Sequence, residues 1–146
     1  MIALDEILYN ALLADADLMT AVGGRIVSTC FEVSPDEQDN TPLPCIIVTD
    51  DGMQNQTESK DSEWETNEDS VQASVEIDGK SPKEVKQLRR MCRTAIANYI
   101  RQIVEEGEKI PELESLQSNG IVWDWMKPCY HSTLTYNCIV YNDEQD

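Results

Sequence analysis

The chain has 146 residues, 40% of them hydrophobic, enough for one core and too few for two ordinary domains. Its 28 acids against 11 bases leave a formal charge of −17. Unaided binding to a phosphate backbone is therefore unfavourable, because like charges repel and no counterion release drives the contact.

The opening Met1-Ile2-Ala3-Leu4-Asp5-Glu6 carries acidic residues where a secretory leader needs basic ones, so a cytoplasmic protein is expected. No apolar run approaches the roughly 20 residues of a membrane span, and no polybasic segment suits an anionic surface. Cys30, Cys45, Cys92, Cys129 and Cys138 are odd in number, widely spaced and without a CxxC pair. They read as reduced, mostly buried thiols rather than a disulfide framework.

Leu4, Ile7, Leu8, Ala11 and Leu12 recur at helical spacing, which predicts an amphipathic helix over about 2–14 with an acidic first turn. A short helical turn with Leu18 and Val22 follows and stops at Gly23-Gly24. Arg25 to Phe31 and Pro44 to Thr49 read as neighbouring strands, the unbroken Cys45-Ile46-Ile47-Val48 fitting a central position. The segment from Asp50 to Asp69 is acidic and poor in apolar residues, and predicts a long mobile loop or hairpin whose far arm begins near Trp64.

Val71, Ala73, Val75 and Ile77 then alternate with polar residues, the pattern of a strand with one face in the core. Ser81-Pro82-Lys83-Glu84 is a helix start, and the helix should run to about Glu105. Val85, Leu88, Cys92, Ala95, Ile96, Tyr99 and Ile103 form its apolar stripe, with Lys83, Lys86, Arg90, Arg93 and Arg101 on the opposite side. A polar connection over about 107–119 leads to strands at Gly120 to Met126 and Thr133 to Tyr141, joined near Lys127-Pro128. Trp123 and Trp125 read as core residues on one strand face. The whole, 1–146, is expected to be one α+β domain: a mostly antiparallel sheet packed against two helices on one face, with a long acidic loop.

Little in this pattern carries chemistry. Cys129 and His131 share a strand face, yet no orienting group or oxyanion donor accompanies them in sequence, and a zinc knuckle needs about four closely spaced ligands. Asp50-Asp51-Gly52 lacks the remaining ligands of a calcium loop, and Gly23-Gly24 lacks the Lys-Ser of a phosphate cradle. No catalytic residue, cofactor or dedicated metal site is expected. The basic helix face is the more informative feature, being what a subunit of an acidic protein would offer to its neighbour.

The stretch Ala11-Leu12-Leu13-Ala14-Asp15-Ala16-Asp17-Leu18-Met19-Thr20-Ala21-Val22-Gly23-Gly24-Arg25-Ile26, followed by Pro42-Leu43-Pro44-Cys45-Ile46-Ile47-Val48, resembles the opening of the tail-completion proteins of tailed phages, the tail terminator or tail-to-head joining family. The capped helix from Ser81 to Ile100 extends the likeness over about residues 1–105; the acidic loop and the 107–119 connection depart from it. The resemblance implies a non-enzymatic virion protein, assembled as a ring of about six copies. That ring would cap the tail tube, meet the head connector protein and let DNA pass through its lumen without binding it specifically. It also implies a place in the host cytoplasm during assembly and at the head-proximal end of the tail afterwards.

The segregation of bases onto one helix of so acidic a chain leads to the expectation of a subunit interface that sets Lys83, Lys86, Arg90 and Arg93 opposite carboxylates of the neighbour such as Glu63, Glu65 and Glu68. An acidic DNA mimic that blocks a defence enzyme is the alternative, but it calls for carboxylates over one continuous convex surface, whereas the helices and strands here are ordinarily amphipathic. The charge balance predicts that the purified chain binds duplex DNA no better than background at about 0.15 M salt, where screening still leaves repulsion at close range. A salt-sensitive complex of micromolar strength in a filter or anisotropy assay would contradict this reading.

Overall fold

The computed structural model describes residues 2–28, 42–55 and 68–141. The chain begins with α1 (Leu4–Leu13), whose Leu4, Ile7, Leu8, Ala11 and Leu12 are all buried as their spacing requires. Asp15 then caps α2 (Ala16–Ala21), its carboxylate accepting from Leu18 N at 2.9 Å. Gly23 and Gly24 take positive φ of 59° and 74°, turning the backbone into β1 (Ile26–Ser28). The Arg25 side chain donates to Pro44 O at 2.9 Å and ties the entry of β1 to that of β2 (Cys45–Asn55).

The sheet continues with β3 (Glu68–Gly79), the hairpin partner of β2. Gly79 is required where it stands, since a Cβ there would lie 2.8 Å from Val85 Cγ2. The next element is α3 (Pro82–Glu105): Ser81 Oγ accepts from Glu84 N, and the Glu84 carboxylate reaches back to Lys80 N at 2.8 Å. Three strands follow, β4 (Glu112–Ser118), β5 (Val122–Asp124) and β6 (Cys129–Tyr141).

The strand order is β1-β2-β3-β6-β4, with β5 pairing the remaining length of β6. All pairs are antiparallel except β1 with β2. Alternation on the long central strands turns Val75, Ile77, Leu134, Tyr136 and Cys138 toward α1 and α3, and these join the helix stripes in one core. Among the described residues no helix covers the opposite face, which presents Ser70, Gln72, Ser74, Thr133, Thr135 and Asn137. The expected α+β class, with helices on one face of a mostly antiparallel sheet, is the architecture found.

Three segments differ from expectation. The acidic stretch from Asp50 is not loop at either described end: β2 runs on to Asn55 and β3 begins at Glu68. Ladder hydrogen bonds use the backbone and tolerate polar side chains, and a bulge at Asp51, whose carboxylate accepts from Ser74 Oγ, adjusts the register. Residues 56–67, with Trp64, Glu63 and Glu65, lie outside the described residues, as do Cys30 and Phe31. The 107–119 connection contains a strand, β4, in its second half. The strand expected over Gly120 to Met126 is short, because Asp124 accepts from Met126 N and Lys127 N and turns the chain at once.

β4 and β5 are two pieces of one edge, interrupted at residues 119–121. Asn119 fills the gap by accepting from Thr133 N at 2.7 Å and from Ser132 Oγ, while Arg89 of α3 donates to Ser132 Oγ at 2.9 Å and Asn119 O at 3.1 Å. Ser132 is fully buried, so this charge-assisted link holds the edge to the helix. Arg89→Ala is expected to lower stability by about 1.5–3 kcal/mol, the range for hydrogen bonds to a charged group. The neighbouring exposed Arg90→Ala should lie within about 0.5 kcal/mol of wild type. Urea midpoints compare the two; equal midpoints would remove Arg89 from this structural role.

Candidate subunit interface

The residues of the basic stripe fall where helical periodicity puts them. Lys83, Lys86, Arg90 and Arg93 are all exposed on α3, with Arg93 at the flank that faces β4. Among the described residues, Lys127 forms an ion pair with Asp78 and His131 Nδ1 lies 3.6 Å from Glu76 Oε1, and neither contact involves the stripe. Six of the chain's 11 bases, the four of the stripe with Arg89 and Arg101, belong to this one helix.

Strand register adds a polarity that the sequence alone conceals. At one end of the sheet Gly79 pairs with Tyr130 and leads into α3, so Lys80, Lys83 and Lys86 gather there with the β5–β6 turn. At the other end Glu68 pairs with Tyr141, Asn55 with Asp69 and Glu112 with Ile139, while Glu105 closes α3 and Glu106, Glu108 and Lys109 lie between it and β4. Glu68 is eleven residues, about 36 Å of extended strand, from the end of β3 that feeds α3. Lys83 and Lys86 therefore cannot meet Glu68 within one chain. Glu63 and Glu65 lie outside the described residues.

The β5–β6 turn corrects the reading of Trp123 and Trp125 as core. Trp123 is 39% exposed, Trp125 84% and Met126 95%, with half-exposed Val122 beside them. Trp125 falls in the turn that Asp124 starts, so the strand alternation that would have buried it has already ended. The rings are ordered against each other, Trp123 meeting Trp125 edge to face at 5.8 Å and Tyr130 at 4.9 Å. Such a projecting apolar cluster is characteristic of an interaction surface. A second apolar surface, a groove of about 450 Å³ between α3 and edge strand β4, is lined by Ile96, Ile100, Leu113, Leu116, Tyr136 and Arg93, among others.

Cys129 and His131 are not brought together as a nucleophile and base. The Cys129 thiol is buried, and burial pushes it up to about 11; burial likewise takes Cys92 to about 12 and Cys138 to about 11. These groups remain thiols at neutral pH, the opposite of an activated nucleophile. His131 instead faces Glu76 and Asp78 of β3, a juxtaposition that needs the β3–β6 register and has no local sequence signal.

No family model and no curated protein sequence matches the chain. Among solved structures, a chain of the virion of a native gene transfer agent particle is similar to it over 95% of both chains, at 16% identity and a TM-score of 0.47. No helix among the described residues is long and apolar enough to cross a membrane.

Proposed function

We propose that the protein is a structural subunit of the tail-completion kind, which assembles head to tail into a ring that caps a phage tail tube and joins it to the head connector. The observation that carries this reading is the opposition of the two sheet ends. One end bears the lysines at the start of α3 together with Trp125 and Met126, and the other bears Glu68 and Glu112. Identical subunits with a net charge of −17 repel one another at long range, so association needs a local attraction. Two unlike ends supply it between copies. A heterologous contact of this kind closes into a ring when its rotation permits.

Energy and register have different sources in this arrangement. Exposed ion pairs contribute about 0–1 kcal/mol each, so the basic stripe orients the neighbour while burial of the Trp125 and Met126 side chains supplies most of the affinity. The order of elements supports the tail-completion assignment: leading helix, short helix into Gly-Gly, Leu-Pro strand, alternating strand, then capped long helix. The same basic stripe breaks the continuous acidic surface that a DNA mimic requires. Carboxylates turned to the lumen would keep passing DNA from adhering to the wall.

Arg90→Glu with Arg93→Glu is expected to leave the chain folded, because both side chains are exposed, and to stop tails from being completed or joined to heads. Trp125→Gln should change the unfolding free energy by no more than about 0.5 kcal/mol while reducing self-association. Native mass spectrometry and particle counts read both. Normal assembly by the folded double variant would falsify the interface.

A further inference from the structure

We propose that Glu76, Asp78 and His131 hold one divalent transition-metal ion, with zinc best matched to the donors, on the helix-free face of β3 and β6. Antiparallel pairing sets Asp78 directly opposite His131, and Glu76, two residues back on the same strand, shares their face. One ligand atom from each of the three lies within 4.8 Å of the others, and His131 Nδ1 is 3.6 Å from Glu76 Oε1. Tetrahedral zinc with bonds of about 2.0–2.1 Å sets its donors about 3.3–3.4 Å apart, so the cluster needs only small side-chain adjustments to close on an ion.

The polar atoms at this site point to a ligand independently of the spacing. Asp78 is 1% exposed, yet its Oδ1 has no hydrogen-bond partner among the described residues, and neither does the buried Nδ1 of His131. Buried polar atoms of native proteins are satisfied with few exceptions, and a cation on Asp78 Oδ1 and His131 Nδ1 would satisfy both. Lys127 occupies the other oxygen, Oδ2, at 2.9 Å, which fixes the carboxylate's orientation as outer partners of metal ligands do.

Donor type selects the ion. An imidazole with two carboxylates suits zinc and its first-row neighbours, whereas magnesium and calcium favour all-oxygen shells. Glu76 and His131 are half-buried, so an ion can enter from solvent and a fourth position stays open to water. Bridging the penultimate turns of β3 and β6, the ion would stiffen the end of the sheet from which the Trp125 turn projects.

The test uses the full chain, stripped of metal by chelator dialysis and titrated with zinc chloride in a calorimeter, with magnesium chloride as control. One zinc per chain with micromolar or tighter affinity and a raised melting temperature is expected, with no magnesium effect. His131→Asn and Glu76→Gln, at half-exposed positions, should each weaken zinc by about tenfold or more, and Cys129→Ser should not. Cobalt added to wild type should give a spectrum without a thiolate-to-metal band, a readout that does not depend on any variant folding. No saturable binding, several weak sites untouched by the His131 and Glu76 variants, or a thiolate band would each overturn the proposal.

Discussion

The antiparallel pairing of β3 with β6 is the constraint from which the other features follow. Twelve consecutive residue pairs, from Glu68 with Tyr141 to Gly79 with Tyr130, run without a register shift. That length sorts side chains by alternation: Val75, Ile77, Leu134 and Tyr136 go to the helices, and Ser70, Gln72, Ser74, Thr133, Thr135 and Asn137 go to the open face. A one-residue slip would bury Glu76 and Asp78 under α1 and α3. The cost of placing two carboxylates there, beside the loss of the apolar contacts, makes the observed register the only stable one.

The same pairing gives the molecule two unlike ends. Because β3 leads into α3 with only Lys80 and Ser81 between, the start of the basic helix is pinned to one end, and because β4 pairs with the far half of β6, Glu112 is carried to the other. Helix periodicity decides which side of α3 is basic; strand register decides which end of the subunit it occupies. Function in this account is a property of that geometry rather than of a reactive group.

Much of the fold is legible in the sequence where local chemistry is strong. Ser81-Pro82-Lys83-Glu84 announces α3, the apolar spacing from Leu4 to Leu12 announces α1, and the alternation from Val71 to Ile77 announces β3. Elements held by their partners are harder to see. β4 is an edge strand with a bulge between Leu113 and Ser115 and few buried positions, so its composition is that of a connection. The second half of β2 is polar for the same reason. Trp123 and Trp125 mislead because apolar rings suggest a core, and only the turn at Asp124 sends them to the surface. The basic stripe was legible from periodicity alone, while the cluster of Glu76, Asp78 and His131 depends on residues more than fifty positions apart and has no local signature.

The proposed ring requires that the β5–β6 turn become buried on assembly. Oxidative footprinting compares the labelling of Trp125 and Met126 in the free, dilute chain with that in assembled particles. Strong labelling in the free chain and protection on assembly is the predicted result, with Trp123 following Trp125. Equal labelling of both residues in the two states would contradict the account.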